Sequence, residues 1–304
     1  MRRAAPHVPP AVRPRSRRAW RALPILAAGA LLAIVLPAAG AAAATGPVYV
    51  ALGDSYTSGP LIPGQTGTPA GCLRSTQNYP SLVAAALGAA SFTDASCAGA
   101  TTTNMTAPQL VVGGINPPEL NALSPGTTLV TLGIGGNDLG FASIITTCTG
   151  LSLSSPLGSP CKKFYTAGGT DRLAQMITTL APKVAAVLAG IHQRAPQARV
   201  LVVGYPDILP STGTGCWPVV PIARGDVPYL RGVELELNAM LAARAAAGNA
   251  TYVDTYGDSI GHDFCQPTGV KWVEGLVPTS PAAPVHPNAL GEQAMAQQVL
   301  AAAG

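Results

Sequence analysis

The segment Val48-Tyr49-Val50-Ala51-Leu52-Gly53-Asp54-Ser55-Tyr56 decides the fold, because it has the pattern of a buried strand that ends in a polar turn. Its first five residues are β-branched, aromatic or aliphatic, as in the strands of a sheet core. Gly53 ends this run, and Ser55 follows two residues later. In open α/β sheets, functional groups collect beyond the carboxyl ends of the strands. Ser55 therefore lies where a nucleophile is expected, although a serine that caps a helix would give the same pattern.

An export signal is predicted for residues 1–44. Seven arginines precede an apolar stretch, Leu23 to Leu36, that is too short to span a bilayer comfortably. Ala42-Ala43-Ala44 then forms a small-x-small cleavage site. An uncleaved amino-terminal anchor is the alternative. We expect residues 45–304 to form a single domain that is secreted and extracellular, with no stable membrane insertion after the signal is cleaved.

The charge of the remaining chain argues against nucleic acid as a partner. Of the 18 Lys and Arg residues, seven lie in the predicted signal, whereas all 14 Asp and Glu residues follow it. Removal of the signal therefore changes the formal charge from +4 to a net negative value, and no basic run is left. Residues 45–304 are enough for one domain with a substantial core, which we expect to be a monomer.

Six cysteines follow the predicted signal. An even number in an exported chain suggests three disulfides, but the sequence alone leaves many pairings open. No two of these cysteines have the spacing of a zinc knuckle, so a zinc site is not expected.

Strands and helices alternate along the chain. Beyond the first strand, further strands are predicted at 91–95, 127–132, 199–203 and 251–254. Helices are predicted at 78–87, from about Thr170 through Ile191, and at 226–247 and 288–302. A short helical patch is expected at 105–112 and an irregular excursion at 146–169. Because parallel strands need crossover connections, this order predicts a three-layer α/β/α sandwich around a five-stranded parallel sheet.

A catalytic serine needs a base to take its proton, and three histidines follow the predicted signal. His192 falls late in the long helix and is expected at the surface. His262 lies in a loop between two cysteines and remains possible. His286 comes immediately before the last helix, where a short loop can bring it to a strand end, and it is the preferred base.

Acyl transfer also needs donors for the negative oxygen that develops during the reaction. Gly99, near the end of the second strand, offers an unobstructed N–H group, and Asn137, after the third, offers a side-chain amide. The N–H group of Ser55 would be the third donor. Glycine and asparagine are common in turns for conformational reasons, so each residue alone is a weak signal. Three consecutive strand ends with one required group each are a much stronger one.

Together, Gly53-Asp54-Ser55, Gly99, Gly136-Asn137-Asp138 and His286 resemble the four blocks of the SGNH (GDSL-type) hydrolases, over essentially the whole chain after the signal. The resemblance implies a flavodoxin-like fold and a carboxylic ester hydrolase of the secreted bacterial esterase, lipase and phospholipase branch. It also implies Ser55 as the nucleophile, His286 as the base, and Ser55, Gly99 and Asn137 as the oxyanion hole. In that branch cysteines pair with their neighbours along the chain, which implies Cys72–Cys97, Cys148–Cys161 and Cys216–Cys265.

The chain departs from the family pattern three residues before His286. Many members have an aspartate there to hold the imidazole, whereas this chain has Ala283. Some secreted relatives use a main-chain carbonyl at this place, which implies the Ala283 carbonyl as the group that orients the histidine. A carbonyl bears no full charge, so its electrostatic help is smaller. We therefore expect a Ser55–His286 dyad, with Asp138 and Asp263 as less favoured orienting acids.

A second motif points to another fold. Gly257-Asp258-Ser259-Ile260-Gly261 matches the nucleophile elbow of α/β-hydrolases and also follows a predicted strand. Too few residues remain after it for the further strands that carry the acid and base of that fold, so this interpretation is not preferred.

Lipid or short-to-medium acyl esters are the expected substrates, and the chemistry requires no metal or organic cofactor. Leu61-Ile62-Pro63, Leu151 with Leu153, Trp217 and Trp272 are candidates to line an acyl groove. Two alternatives remain open. A glycan or peptide O-deacetylase would use the same site, and a non-catalytic binding protein could share the fold.

Overall fold

The computed structural model describes residues 46–304, so the predicted export signal lies outside the described residues. The strands of this part are β1 (Val48–Gly53), β2 (Gln65–Thr66), β3 (Arg74–Ser75), β4 (Ser91–Asp94), β5 (Gln109–Val111), β6 (Gly114–Asn116), β7 (Leu129–Gly133), β8 (Arg199–Val203) and β9 (Thr251–Val253). Its α-helices are α1 (Ser55–Ser58), α2 (Tyr79–Ala86), α3 (Phe141–Ser152), α4 (Pro160–Tyr165), α5 (Arg172–Arg194), α6 (Val227–Ala247) and α7 (Ala289–Ala303).

Five strands form one parallel sheet in the order β4-β1-β7-β8-β9. Counted within this sheet, the order is second, first, third, fourth and fifth along the chain, which is the flavodoxin-like arrangement of doubly wound sheets. The central strands are in register, since Leu52 pairs with Leu132 and Leu132 pairs with Val202. The predicted three-layer α/β/α sandwich around a five-stranded parallel sheet is confirmed.

The two faces of the sheet bury separate cores because successive side chains of a strand point to opposite sides. In β8, Val200 and Val202 belong to the larger core, into which the apolar residues of α5 and α6 pack. Leu201 and Val203 belong to the smaller core, which includes residues of α2 and α7. Burial on both faces explains why the central strands are largely apolar.

Helix α5 follows from its sequence pattern. Asp171 caps it by accepting the N–H groups of Leu173 and Ala174. By length and composition α5 could also cross a membrane. Its apolar stripe is nevertheless buried in the larger core, as expected for an amphipathic helix of a globular domain. The stripe consists of Leu173, Ile177, Leu180, Val184, Val187, Leu188 and Ile191.

The short helix predicted for residues 105–112 is wrong. A 3₁₀ turn, Thr102–Met105, ends where that helix was expected to begin, and the antiparallel hairpin β5–β6 follows. Val111 and Val112 favour extended backbone, and the Gly113-Gly114 pair permits the positive φ angles of a tight hairpin turn.

The irregular excursion predicted for residues 146–169 is also wrong over much of its length. Helix α3 continues to Ser152, and α4 adds another turn and a half. The buried Asp226 carboxylate, remote in sequence, accepts the N–H groups of Cys161 and Lys162 at 2.9 and 2.8 Å. A tertiary contact of this kind stabilises a short helix that its local sequence does not predict.

Three disulfides join neighbouring cysteines along the chain, in the pairing that the family resemblance implies. The bonded pairs are Cys72–Cys97, Cys148–Cys161 and Cys216–Cys265. The first of them fastens the loop after Ser55 to the segment that follows β4, two residues before Gly99.

We expect Asn78→Ala to destabilise the domain. The Asn78 side chain caps α2 through the Ser81 N–H group and donates to the Ser58 carbonyl and the Asp94 carboxylate. Loss of the cap and of these bonds should lower the free energy of unfolding by about 2 kcal/mol, measured by urea denaturation of the oxidised protein. Gln77→Ala, at an exposed neighbour, is the matched control. Equal effects of the two substitutions would contradict the prediction.

Candidate active site

Ser55 is held at the end of β1 by a buried carboxylate. Asp54 caps the one-turn helix α1 by accepting the Tyr56 N–H group at 2.9 Å, and its second oxygen accepts the Tyr205 hydroxyl at 2.5 Å. Burial raises the pKa of Asp54 to about 7, although both hydrogen bonds favour the carboxylate form. The nucleophile candidate therefore starts a helix whose first turn is fixed on two sides.

Gly53 allows β1 and β7 to approach closely beneath this helix. Its φ angle is +149°, and a Cβ atom there would lie 2.4 Å from both the Gly133 carbonyl oxygen and Thr57 Oγ1. The Gly53 N–H group donates to the buried carboxyl group of Glu119 at 2.7 Å. Only glycine fits this position, which explains the residue type in the motif.

His286 reaches Ser55 from the opposite end of the chain. Its Nε2 atom lies 2.8 Å from Ser55 Oγ, and its Nδ1 atom lies 2.8 Å from the Pro284 carbonyl oxygen. Because a carbonyl only accepts hydrogen bonds, Nδ1 carries the proton and Nε2 presents its lone pair to the serine hydroxyl. This is the geometry of a base that takes a proton from a nucleophile.

The prediction that the Ala283 carbonyl orients the histidine is wrong by one residue. Val285 has a left-handed φ angle of +58°, and the resulting tight turn puts the Pro284 carbonyl against the ring. The Ala283 N–H group is used elsewhere, in a hydrogen bond to the Pro60 carbonyl. A left-handed valine is uncommon, and nothing in the local sequence signals it.

No carboxylate among the described residues is hydrogen-bonded to His286. Asp138 instead accepts both the N–H group and the hydroxyl of Thr102, at 2.8 and 2.5 Å. Asp263 accepts from Cys265 and Gln266 in its own loop. Burial lowers the pKa of His286 below its usual value, and the bond to Pro284 only partly opposes this. The imidazole is thus neutral at neutral pH, as a base must be.

A buried ion pair supports the loop that carries His286. The Glu274 N–H group donates to the His286 carbonyl at 2.9 Å, and the Glu274 carboxylate binds Lys271 Nζ at 2.8 Å and Asn288 Nδ2 at 2.9 Å. Burial would raise the pKa of Glu274, but these bonds and one from the Thr279 N–H group outweigh it and hold the pKa at about 2. The base is therefore braced by a group that stays charged down to acidic pH.

Three donors face the space beside Ser55. Within the described chain, the N–H groups of Ser55 and Gly99 have no hydrogen-bond acceptor. Asn137 Nδ2 donates one proton to the Ala100 carbonyl at 2.9 Å, which aims the amide and leaves its second N–H group for a ligand. Gly99 has a φ angle of +80°, a left-handed conformation that glycine adopts without strain. Preorganised donors of this kind can hold an oxyanion.

An apolar cavity of about 280 Å³ adjoins these groups. Ser55, Gly99, Asn137 and His286 all line it, together with Asp54, Tyr205, Glu234 and a wall of aliphatic and aromatic side chains. That wall is formed by Leu73, Leu139, Phe141, Ile144, Ile145, Ile208, Leu209, Leu230, Val233 and Leu237. Such a lining is suited to binding an apolar group.

The groove residues proposed from the sequence are not those that line the cavity. Leu61 and Leu153 are exposed, and Ile62 is buried in packing. Trp272 stacks on His262 with ring centroids 3.9 Å apart, and His262 Nδ1 lies 2.6 Å from the Val270 carbonyl. The alternative base is thus engaged outside the site.

The second serine motif is also engaged elsewhere. Ser259 is buried, and its hydroxyl accepts the Asp207 N–H group at 2.7 Å while donating to the Tyr256 carbonyl at 2.9 Å. Because its hydroxyl makes both bonds inside the protein, Ser259 stabilises a turn and is not a free nucleophile. The α/β-hydrolase interpretation is therefore wrong.

Comparison with known proteins agrees with this geometry. Residues 51–294 match the GDSL-like lipase/acylhydrolase family. The chain belongs to this family. It is 44% identical over 255 residues to Lipase 2 of Streptomyces coelicolor, a match that covers 83% of this chain and 84% of that protein.

Two solved structures resemble this acylhydrolase over most of their length. Phospholipase A1 from Streptomyces albidoflavus NA297 superposes with a TM-score of 0.70 at 30% identity, covering 85% of this chain and all of that one. An extracellular lipase from Streptomyces rimosus superposes with a TM-score of 0.69 at 30% identity, covering 84% of this chain and 99% of that one. The acylhydrolase is a carboxylic ester hydrolase, as the sequence motifs predict, and not a non-catalytic binding protein.

Tyr205 and Tyr56 are further residues of this site that the sequence motifs did not indicate. The Tyr205 hydroxyl accepts the Gly136 N–H group at 2.8 Å while donating to Asp54, which couples the loop of Asn137 to that of Ser55. The Tyr56 hydroxyl donates to the Val285 carbonyl at 2.6 Å. Tyr205 follows the fourth strand of the sheet, so the same strand-end rule that marked Gly99 and Asn137 could have found it.

We expect His286 to titrate below pH 6.5. Burial disfavours the imidazolium form, so the folded-state pKa lies under the ordinary value and the ring stays neutral as the pH falls to that point. The measurement is an NMR titration of the imidazole Hε1 resonance, assigned by its absence in His286→Gln. A midpoint at or above 6.5 would contradict the prediction.

Proposed function

We propose that this acylhydrolase is an exported serine esterase that cleaves lipid or short-to-medium acyl esters through a Ser55–His286 dyad. The observation that supports it most directly is the 2.8 Å contact between Ser55 Oγ and His286 Nε2 beside an apolar cavity. A serine with a neutral imidazole at this distance is an activated nucleophile.

Acylation begins with attack of Ser55 Oγ on the ester carbonyl carbon while its proton passes to His286 Nε2. The carbonyl oxygen becomes an oxyanion held by the N–H groups of Ser55 and Gly99 and by the Asn137 amide. Each such donor lowers the barrier by about 3 kcal/mol. When the tetrahedral intermediate collapses, the bond to the alkoxy oxygen breaks and His286 protonates the leaving alcohol.

Deacylation repeats these steps with water as the nucleophile. His286 takes a proton from water, the hydroxyl oxygen attacks the acyl carbon of the Ser55 ester, and the same donors hold the oxyanion. The bond to Ser55 Oγ then breaks, Oγ regains its proton from His286, and the carboxylic acid leaves. The Pro284 carbonyl keeps the ring oriented through both halves of the reaction.

The lining of the cavity favours acyl chains over acetyl groups. Its wall is aliphatic and aromatic from α3, α6 and the loop after β8. A glycan or peptide O-deacetylase would use the same catalytic groups but leave this volume unfilled. Relatives called lipase and phospholipase A1 support the same choice.

The proposal includes export of a single domain, residues 45–304, as a monomer with its disulfides formed. The charged head and apolar stretch of residues 1–44 and the three disulfide bonds support an oxidising, extracellular location. One similar solved structure is an extracellular lipase.

Ser55→Ala should lower kcat/KM for p-nitrophenyl butyrate at least about ten-thousand-fold, and His286→Gln should do nearly the same, because the two residues act as a unit. The measurement is release of p-nitrophenol by the folded variants, with circular dichroism to verify the fold. Unchanged turnover in Ser55→Ala would refute the proposal.

Aspartate-to-asparagine variants at positions 138, 254 and 263 are the matched controls for a dyad. None of these carboxylates bonds to His286, so none should reach the roughly ten-thousand-fold loss that is typical of a triad acid. A loss of that size at one position would replace the dyad with a triad.

We expect kcat/KM to rise with acyl length until the cavity is filled. Each buried methylene contributes about 0.8 kcal/mol, or about fourfold in kcat/KM, across a series of p-nitrophenyl esters. Ile144→Trp should fill part of the cavity and shift the optimum to shorter chains, whereas Leu153→Trp, at an exposed site, should not. If kcat/KM did not change with acyl length, the acyl group would not bind in this cavity.

A further inference from the structure

Glu234 brings a carboxyl group into the apolar wall that α6 presents to the cavity. Its neighbours on this wall are Leu230, Val233 and Leu237. The Glu234 side chain is buried, with 7% exposure. Its Oε1 atom accepts the Ile208 N–H group at 3.2 Å, and its Oε2 atom has no hydrogen-bond partner within the described chain. An unpartnered carboxyl oxygen on a residue that lines a cavity needs an explanation.

Two other buried glutamates also hold a backbone N–H group with one oxygen and leave the second oxygen without a partner within the described chain. Glu119 accepts from Gly53 and Glu292 accepts from Tyr79, each at 2.7 Å, but neither lines the cavity. One turn further along α6, Asn238 is fully engaged, since it both accepts from and donates to the Tyr205 main chain. Glu234 alone combines a long bond, a free oxygen and a place in the cavity wall.

The position of Glu234 along α6 indicates which part of an acyl chain it would meet. Leu237 lies near Gly135, in the loop that carries Asn137, because a Cβ atom at Gly135 would be 3.9 Å from Leu237 Cδ1. Glu234 precedes Leu237 by three residues, which is about 4.5 Å along the helix axis. Glu234 therefore lies about one turn of α6 from the residue that contacts the loop of Asn137, among the residues that line the cavity.

We propose that Glu234 is a specificity residue that selects acyl chains bearing a hydroxyl group partway along their length. This inference rests on the proposed function, because it assigns the cavity to the acyl group. A hydroxyl both donates and accepts, so it pairs with either protonation state of the carboxyl group. Burial, and to a lesser extent Asp207, raise the pKa of Glu234 well above its ordinary value, so the acid form can donate to the ligand oxygen.

The test compares methyl octanoate with its monohydroxylated isomers, the hydroxyl being moved along the chain, by titration of the released acid. Methyl esters are used because activated aryl esters of some hydroxy acids lactonise. In the wild-type enzyme, the isomer with its hydroxyl at one position should have a kcat/KM at least equal to that of methyl octanoate. Isomers that leave the hydroxyl against the aliphatic wall should have a lower kcat/KM. If every hydroxylated isomer is poorer than octanoate, the proposal is refuted.

Variants at position 234 separate this role from packing. Glu234→Leu should shift the ratio of kcat/KM for the preferred isomer to that for octanoate about tenfold toward octanoate, and Glu234→Gln should retain most of the preference. Glu236→Leu, on the exposed face of α6, is the matched control and should leave the ratio unchanged.

The outcomes distinguish this inference from the proposed function. An unchanged ratio in Glu234→Leu refutes the role of Glu234, including the case in which the carboxyl group binds only a buried water. Absence of hydrolysis of any octanoate ester by the wild type would instead refute the assignment of the cavity to acyl chains. Should Glu234→Leu fail to fold, the positional series in the wild type still decides the matter.

Discussion

The hydrogen bond between the Tyr205 hydroxyl and the Asp54 carboxylate is the contact on which the rest of the site depends. Asp54 fixes the first turn of α1 and hence Ser55, while Tyr205 accepts the N–H group of Gly136, next to Asn137. Ser55 and Asn137 follow different strands, and this bond joins their two loops in addition to the main-chain bond from Asp54 N–H to the Gly133 carbonyl at 2.9 Å. The short length and burial of the bond between Tyr205 and Asp54 make it resistant to competition from water.

The sequence predicts the fold, and it indicates which candidate catalytic groups lie together, because both follow from the parallel sheet. Alternation of strands and helices fixes the topology, and parallel strands bring their carboxyl ends to one edge, so Ser55, Gly99 and Asn137 meet there. The order of strands in the sheet and the match to known acylhydrolases agree with this. Features that depend on tertiary contacts were not predictable in the same way.

Two errors illustrate that limit. The orienting carbonyl belongs to Pro284 and not Ala283, because Val285 adopts a left-handed conformation that its residue type disfavours. Helix α4 forms where composition indicates a loop, because the Asp226 carboxylate caps it from a distance. The residues that line the cavity were missed for a related reason, since Ile144 and Leu230 have the pattern of ordinary core positions on amphipathic helices.

A carbonyl can orient a histidine but brings no negative charge to stabilise the imidazolium, and His286 is oriented by a carbonyl. Three hydrogen bonds hold the loop. The Tyr56 hydroxyl donates to the Val285 carbonyl, and the Glu274 N–H group donates to the His286 carbonyl. The His286 imidazole donates to the Pro284 carbonyl. An aspartate at the orienting position would offset burial and raise the pKa of the imidazole. Without it the ring remains neutral over a wider range of pH, while the imidazolium formed during reaction is stabilised less. In the proposed mechanism, the rigid loop and the preformed oxyanion donors compensate for the absent carboxylate.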